Sequence, residues 1–223
     1  MDVATVFAAG LLTALATGLG ALPLAIRRHP GARWLRAATG IAAAAMLVLG
    51  AGLLLEGWKE SAGAAFGGAL AGGAFVALAE RLLARRPEVH FSQLTGLQAR
   101  KALLLVGVMT IHSFAEGIGV GVSFGAGEAF GVAAAAAIAL HNVPEGLAIS
   151  LLLVPRGVSV PRAAGWSVFS SLPQPLMAIP AFLFVSTFEG LLPLGLGFAA
   201  GAMVWMVVKE LLPDVLRAAE NPQ

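Results

Sequence analysis

Two stretches of the chain carry residue types able to do chemistry. His112-Ser113-Phe114-Ala115-Glu116-Gly117 and His141-Asn142-Val143-Pro144-Glu145-Gly146 share the form His-x-x-x-Glu-Gly and lie 29 residues apart. On a helix, positions i and i+4 share a face, so each stretch presents an imidazole beside a carboxylate. Brought together, His112, Glu116, His141 and Glu145 make a nitrogen and oxygen ligand set suited to zinc, and also to iron, manganese, cobalt or cadmium. Two carboxylates neutralise one divalent cation, so the loaded site carries no net charge in a low-dielectric interior. Without a cation the two carboxylates repel and tend to take up protons. Cation binding is therefore expected to release protons and to weaken in acid. A plainer reading makes each pair an intrahelical hydrogen bond that tidies two buried polar groups. Two copies, each followed by glycine, favour a shared site.

The elements that position these pairs are membrane helices. Of the 223 residues, 58% are hydrophobic and 12% charged, with a mean hydropathy of +0.87. A water-soluble domain could not solvate that surface, so the chain reads as an all-α, polytopic membrane bundle surrounded by the lipid bilayer. Seven spans are expected, over 3–26, 37–57, 61–83, 102–124, 128–153, 164–187 and 190–212, forming one transmembrane domain over 1–223. Each is long enough to cross a core of roughly 30 Å. The first span lacks a basic start and is long for a cleaved leader, so it reads as a retained helix. The absence of cysteine excludes disulfides and thiolate metal sites. Ionisable groups at membrane depth are costly, which makes the two His–Glu pairs functional candidates.

Charge sets the expected orientation. All the 14 basic residues except Lys59 fall in one alternating set of connections or in the C-terminal stretch. The positive-inside bias then places the N-terminus outside, the 84–101 loop in the cytoplasm and the C-terminus in the cytoplasm, in an inner or plasma membrane. The same pattern explains the sequence pI of about 9.7 without nucleic acid, since the arginines sit in short loops. Asp2, Glu56, Glu60, Glu128 and Glu189 gather at the outer ends, either drawing cations to a mouth or acting as ordinary solvated charges.

The chain also resembles itself weakly. Gly40-Ile41-Ala42-Ala43-Ala44-Ala45-Met46 lines up with Gly197-Phe198-Ala199-Ala200-Gly201-Ala202-Met203, in spans two and seven. An odd offset means opposite directions across the membrane, as for the His–Glu pairs in adjacent spans. Inverted repeats with a site at their interface are a transporter plan, and helix packing alone is the competing reading. Pro144 removes a backbone donor and leaves the Leu140 carbonyl without its helical partner, which predicts a bend beside the ligands. Met46 and Met203 offer thioethers to a passing metal or simply pack. Glu210 and Asp214 share a face near the inner end of span seven, as an exit station or as interfacial charges.

On these residues the sequence resembles the ZIP family of divalent-metal transporters, most closely its bacterial branch. The family's fourth and fifth helices carry His-Asn-x-Pro-Glu-Gly, matched by the two stretches above. Thr17 to Pro23 in the first span and Gly197 to Met203, leading to Lys209-Glu210-Leu211-Leu212-Pro213-Asp214, are supporting matches. The resemblance implies uptake of a divalent metal, zinc above all, into the cytoplasm by alternating access. It also implies that spans 1, 4, 5 and 6 move against 2, 3 and 7, and that the protein forms a homodimer. Three departures qualify it. The residues that often complete a second metal site are here Ser113, Asn142 and Gln174, which add no carboxylate, so one tight ion is expected and the second site is weak or absent. Ala115 replaces a proline. The family usually has eight helices, and seven are legible here before the polar stretch from Asp214 to Gln223.

The expected function is therefore a metal transporter and not an enzyme. A non-transporting metal sensor or scaffold is the main alternative. An intramembrane metallohydrolase is the other, though it would need an open coordination position and a free general base.

Overall fold

The computed structural model describes residues 2–26, 32–84 and 96–213, and these are helical almost throughout, with no strand among them. Seven stretches are long and apolar enough to cross a membrane: Val3–Ile26, Gly40–Glu60, Ala62–Leu83, Ala102–Gly125, Glu128–Arg156, Val160–Thr187 and Glu189–Lys209. They follow the seven expected spans closely, because a run of about 20 apolar residues leaves the backbone no partner but itself.

The first span is two helices. α1 (Val3–Leu19) is capped by Asp2, whose carboxylate accepts from the Thr5 amide at 2.8 Å and the Thr5 hydroxyl at 2.6 Å. These two bonds, the hydroxyl's first, hold the Asp2 carboxyl below its usual range. The helix stops at Gly20, and α2 (Leu22–Ile26) restarts the span with Pro23 in its first turn. α3 (Ala32–Glu60) and α4 (Ala62–Ala84) follow, separated only by Ser61. α5 (Gly96–Gly125) begins inside what the sequence suggests is the 84–101 loop; residues 85–95 lie outside the described ones. No proline interrupts Gly96 to Lys101, so the helix projects beyond the apolar stretch. Gly127, at φ 140°, makes the tight turn into α6 (Glu128–Leu153).

The sixth span departs most from expectation. It starts at Val160 rather than 164 and is broken into α7 (Val160–Ser171) and α8 (Pro173–Thr187) at Leu172. Pro173 and Pro175 lack backbone donors, so α7 cannot run on, while the first turn of α8 tolerates both. The bend expected at Pro144 is not a break, since α6 runs through it. α9 (Leu192–Met206) completes the bundle and continues through a π-helical turn at Val207–Leu211.

Close glycine contacts reveal the register. A Cβ on Gly68 or Gly72 of α4 would overlap the carbonyls of Leu194 or Phe198 on α9, and one on Gly197 or Gly201 would overlap those of Ala65 or Ala69. Both partners advance in step, so α4 and α9 run parallel with backbones in contact. α5 and α8 are likewise parallel, with Gly117 against Gln174 and Gly121 against Ala178. So are α1 and α6, with Asn142 against Thr13 and Gly146 against Thr17. In contrast, Gly50 meets Ala200 while Gly57 meets Pro193, so α3 and α9, which carry the two Gly-Ala-Met stretches, run antiparallel. Met46 and Met203 are buried in the main apolar core with Leu53, Val76, Phe124 and Leu196. An apolar cavity of about 420 Å³ is lined by residues of α4, α5, α8 and α9, among them Gly68, Ile118, Met177, Phe184 and Phe198.

Candidate metal centre

The site forms where α5 and α6, antiparallel neighbours, are backed by α1 and by the broken span α7–α8. Glu116 comes from α5; His141 and Glu145 come from one turn of α6. Each supplies one donor atom to a cluster whose atoms all lie within 4.8 Å of one another. The α6 pair has the i, i+4 geometry expected from its spacing, with His141 Nε2 3.0 Å from Glu145 Oε1. Across the helix interface, the same nitrogen lies 3.3 Å from Glu116 Oε1. Exposure is 0% for Glu116, 2% for His141 and 6% for Glu145, so bulk water is excluded from all three.

These contacts bring ionisable groups together without hydrogen-bond geometry. Glu116 Oε1, Glu145 Oε2 and both ring nitrogens of His141 have no hydrogen-bond partner. Buried polar atoms are nearly always paired, and unpaired ones point to strain or to a ligand. Here the orphans are lone-pair carriers converging from two helices, which is the chemistry a divalent cation takes.

Behind the trio runs a chain of amides. Gln174 Nε2 donates to Glu116 Oε2 at 2.7 Å, and Asn142 Nδ2 donates to Gln174 Oε1 at 2.9 Å and to the Thr13 carbonyl at 2.7 Å. Gln174 sits in the first turn of α8, directly after the break, so the prolines that end α7 also aim this side chain at Glu116. Ser113 Oγ is fully buried and has no hydrogen-bond partner, so it takes no part in the chain of amides.

His112, the fourth expected ligand, stands outside the trio. It is 1% exposed, and its Nε2 lies 3.5 Å from Glu80 Oε1 on α4. Glu80 also accepts from Trp205 Nε1 of α9 at 3.4 Å. The sequence reading passed over Glu80. The signal was present, since it is an acid inside the apolar span Ala62–Leu83. Of the other pathway candidates, Met203 packs its methyl against Gly119 on α5, and Met46 is buried in the core. Asp214 and the side chain of Glu210 lie outside the described residues. Glu56 is answered by Lys59 at 2.6 Å, both partly exposed, as ordinary surface charges are.

Comparisons with known proteins point to one family. The family model described as ZIP Zinc transporter matches residues 80–222. The zinc transporter GufA of Myxococcus xanthus is 33% identical over 219 residues, covering 92% of this chain and 86% of that protein. The zinc transporter ZupT of Corynebacterium aurimucosum is 31% identical over 243 residues, covering 99% of this chain and 92% of that protein. A longer protein of Arabidopsis thaliana, named as a candidate zinc transporter, is 44% identical over 227 residues and all of this chain, which spans 36% of its length. The paired His–Glu helices, the matched region and this coverage lead to one conclusion: the chain belongs to the ZIP zinc transporter family.

Proposed function

We propose that the chain moves a divalent cation, zinc first, across the inner or plasma membrane into the cytoplasm by alternating access. The observation that carries this reading is the buried trio Glu116, His141 and Glu145, with unpaired lone-pair atoms converging from two antiparallel helices. The carboxylates supply two negative charges and His141 a neutral nitrogen. His112, on the same face of α5 as Glu116, supplies a fourth ligand. Zinc takes four such ligands readily; iron, manganese, cobalt and cadmium suit the same set. The charged connections support an outside N-terminus and a cytoplasmic C-terminus. The family resemblance adds a homodimer, with α1 and α5–α8 moving against α3, α4 and α9.

Uptake of zinc-65 into proteoliposomes tests the function. Wild type should accumulate zinc, whereas Glu145→Gln and His112→Ala should each reduce uptake at least about tenfold. Zinc binding without uptake under any imposed gradient would leave a metal-binding scaffold instead. Uptake persisting in both variants would remove the site assignment.

One ion per chain is proposed. Gln174 directs an N–H at Glu116 Oε2, the oxygen a second cation beside the first would need, and neither Ser113 nor Asn142 adds negative charge. Gln174→Glu should therefore raise bound zinc from about one toward two per chain, since the new carboxylate offsets part of the second ion's charge. Unchanged stoichiometry by elemental analysis of the purified variant would refute this account of the amide.

A further inference from the structure

Glu80 is held by one pair of helices and reaches toward another. On its own side, Oε2 accepts from Trp205 Nε1 of α9, and Lys209 Nζ sits 5.4 Å from the centre of the Trp205 ring. α4 and α9 are locked backbone to backbone by their glycines, so Glu80 belongs to a stiff pair. Its other oxygen lies 3.5 Å from His112 Nε2 on α5. His112 precedes Glu116 by one helical turn and shares its face, so one residue of α5 neighbours both Glu116 and Glu80. One lone pair on one nitrogen serves one cation. Nε2 itself cannot coordinate an ion at the trio while it is turned to the Glu80 carboxylate.

We propose that Glu80 is a positioning residue that competes with the transported cation for His112. Loading completes the ligand set when His112 leaves Glu80 and joins Glu116, His141 and Glu145. Release is eased when Glu80 draws the imidazole back and leaves three ligands. A site through which ions pass must bind strongly enough to fill and weakly enough to empty. A ligand shared with an outside carboxylate provides that adjustment, because affinity falls by the fraction of protein in which His112 is engaged elsewhere. The inference rests on the reading of the trio as the cation site and adds a residue that touches no ion.

The experiment combines calorimetric zinc binding to the full chain in nanodiscs with zinc-65 uptake in proteoliposomes. It compares wild type, Glu80→Gln, Glu80→Asp, His112→Ala and the Glu80→Gln/His112→Ala double variant. Glutamine keeps the size and an oxygen for Trp205 but removes the charge that attracts His112. Glu80→Gln is expected to bind zinc about tenfold more tightly and to turn over about tenfold more slowly, so that KM and kcat fall together. Glu80→Asp, with the charge on a shorter arm, should lie between Glu80→Gln and wild type, and it serves as the test if Glu80→Gln fails to fold. In the His112→Ala background, Glu80→Gln should change affinity by no more than about twofold, since the competition has lost its object. Unchanged or weaker binding in Glu80→Gln, or the same tightening without His112, would overturn the proposal. Wild type that binds no zinc would remove the site reading and this inference together, whereas wild-type binding with no shift in Glu80→Gln removes the inference alone.

Discussion

His141→Ala should abolish measurable zinc uptake and weaken zinc binding by about a hundredfold or more. Loss of an outer-sphere partner alone typically costs 10- to about 100-fold in metal affinity, and a direct ligand should cost no less. The geometry gives His141 the largest share. Its Nε2 is in contact with both carboxylates, at 3.0 Å from Glu145 and 3.3 Å from Glu116. Alanine would leave two carboxylates facing each other in a site from which water is excluded, with nothing between them. They would repel each other, and the site would lose a ligand that contacts both. His141→Gln keeps a polar head of similar reach and should recover the fold but little of the binding, which separates coordination from packing. Calorimetry on purified protein, alongside zinc-65 uptake, is the check. Binding within about threefold of wild type in His141→Ala would contradict the trio as the cation site.

The second large effect concerns structure. Gly146 follows the ligand Glu145, and a Cβ there would overlap the Thr17 carbonyl of α1. The obstacle is backbone, so no rotamer change relieves it. Either α1 moves off α6 or the helices distort, and the Asn142 bond to the Thr13 carbonyl one turn away moves with them. Overpacking of this kind typically costs about 1–3 kcal/mol, and backbone contact puts Gly146→Ala at about 3 kcal/mol or above. Gly165 on α7 is the control, since a Cβ there meets nothing within 4 Å. Gly165→Ala should be neutral or stabilising by up to about 1 kcal/mol, through helix propensity. Thermal unfolding of the two variants in the same detergent gives the comparison. Equal melting temperatures would mean that α1 and α6 are not packed this closely. The glycine that closes the His-x-x-x-Glu-Gly motif is thus explained by packing, as the room α1 needs to pass beside the ligands.

Local rules were enough for much of this protein. Long apolar runs must become helices in a bilayer, because the backbone has no other partner there, and this gave all seven spans. Spacing of i, i+4 gave the His141–Glu145 contact, because helical geometry alone brings those side chains together. An odd offset between repeats gave opposite directions, which the antiparallel α3 and α9 display. Tertiary structure decided the rest, because it depends on how far one helix slides and turns against the next. The same spacing in α5 predicts His112 beside Glu116 in one ligand set, yet the ring faces Glu80, a residue brought from α4. Glu116 instead meets His141 across the helix interface, and Gln174 reaches Glu116 from 58 positions away because two prolines end α7 at that level. Nothing in a single helix specifies such a meeting. It arises where glycine carries no Cβ, backbones approach to contact, and polar side chains from distant spans come within hydrogen-bond distance of one another.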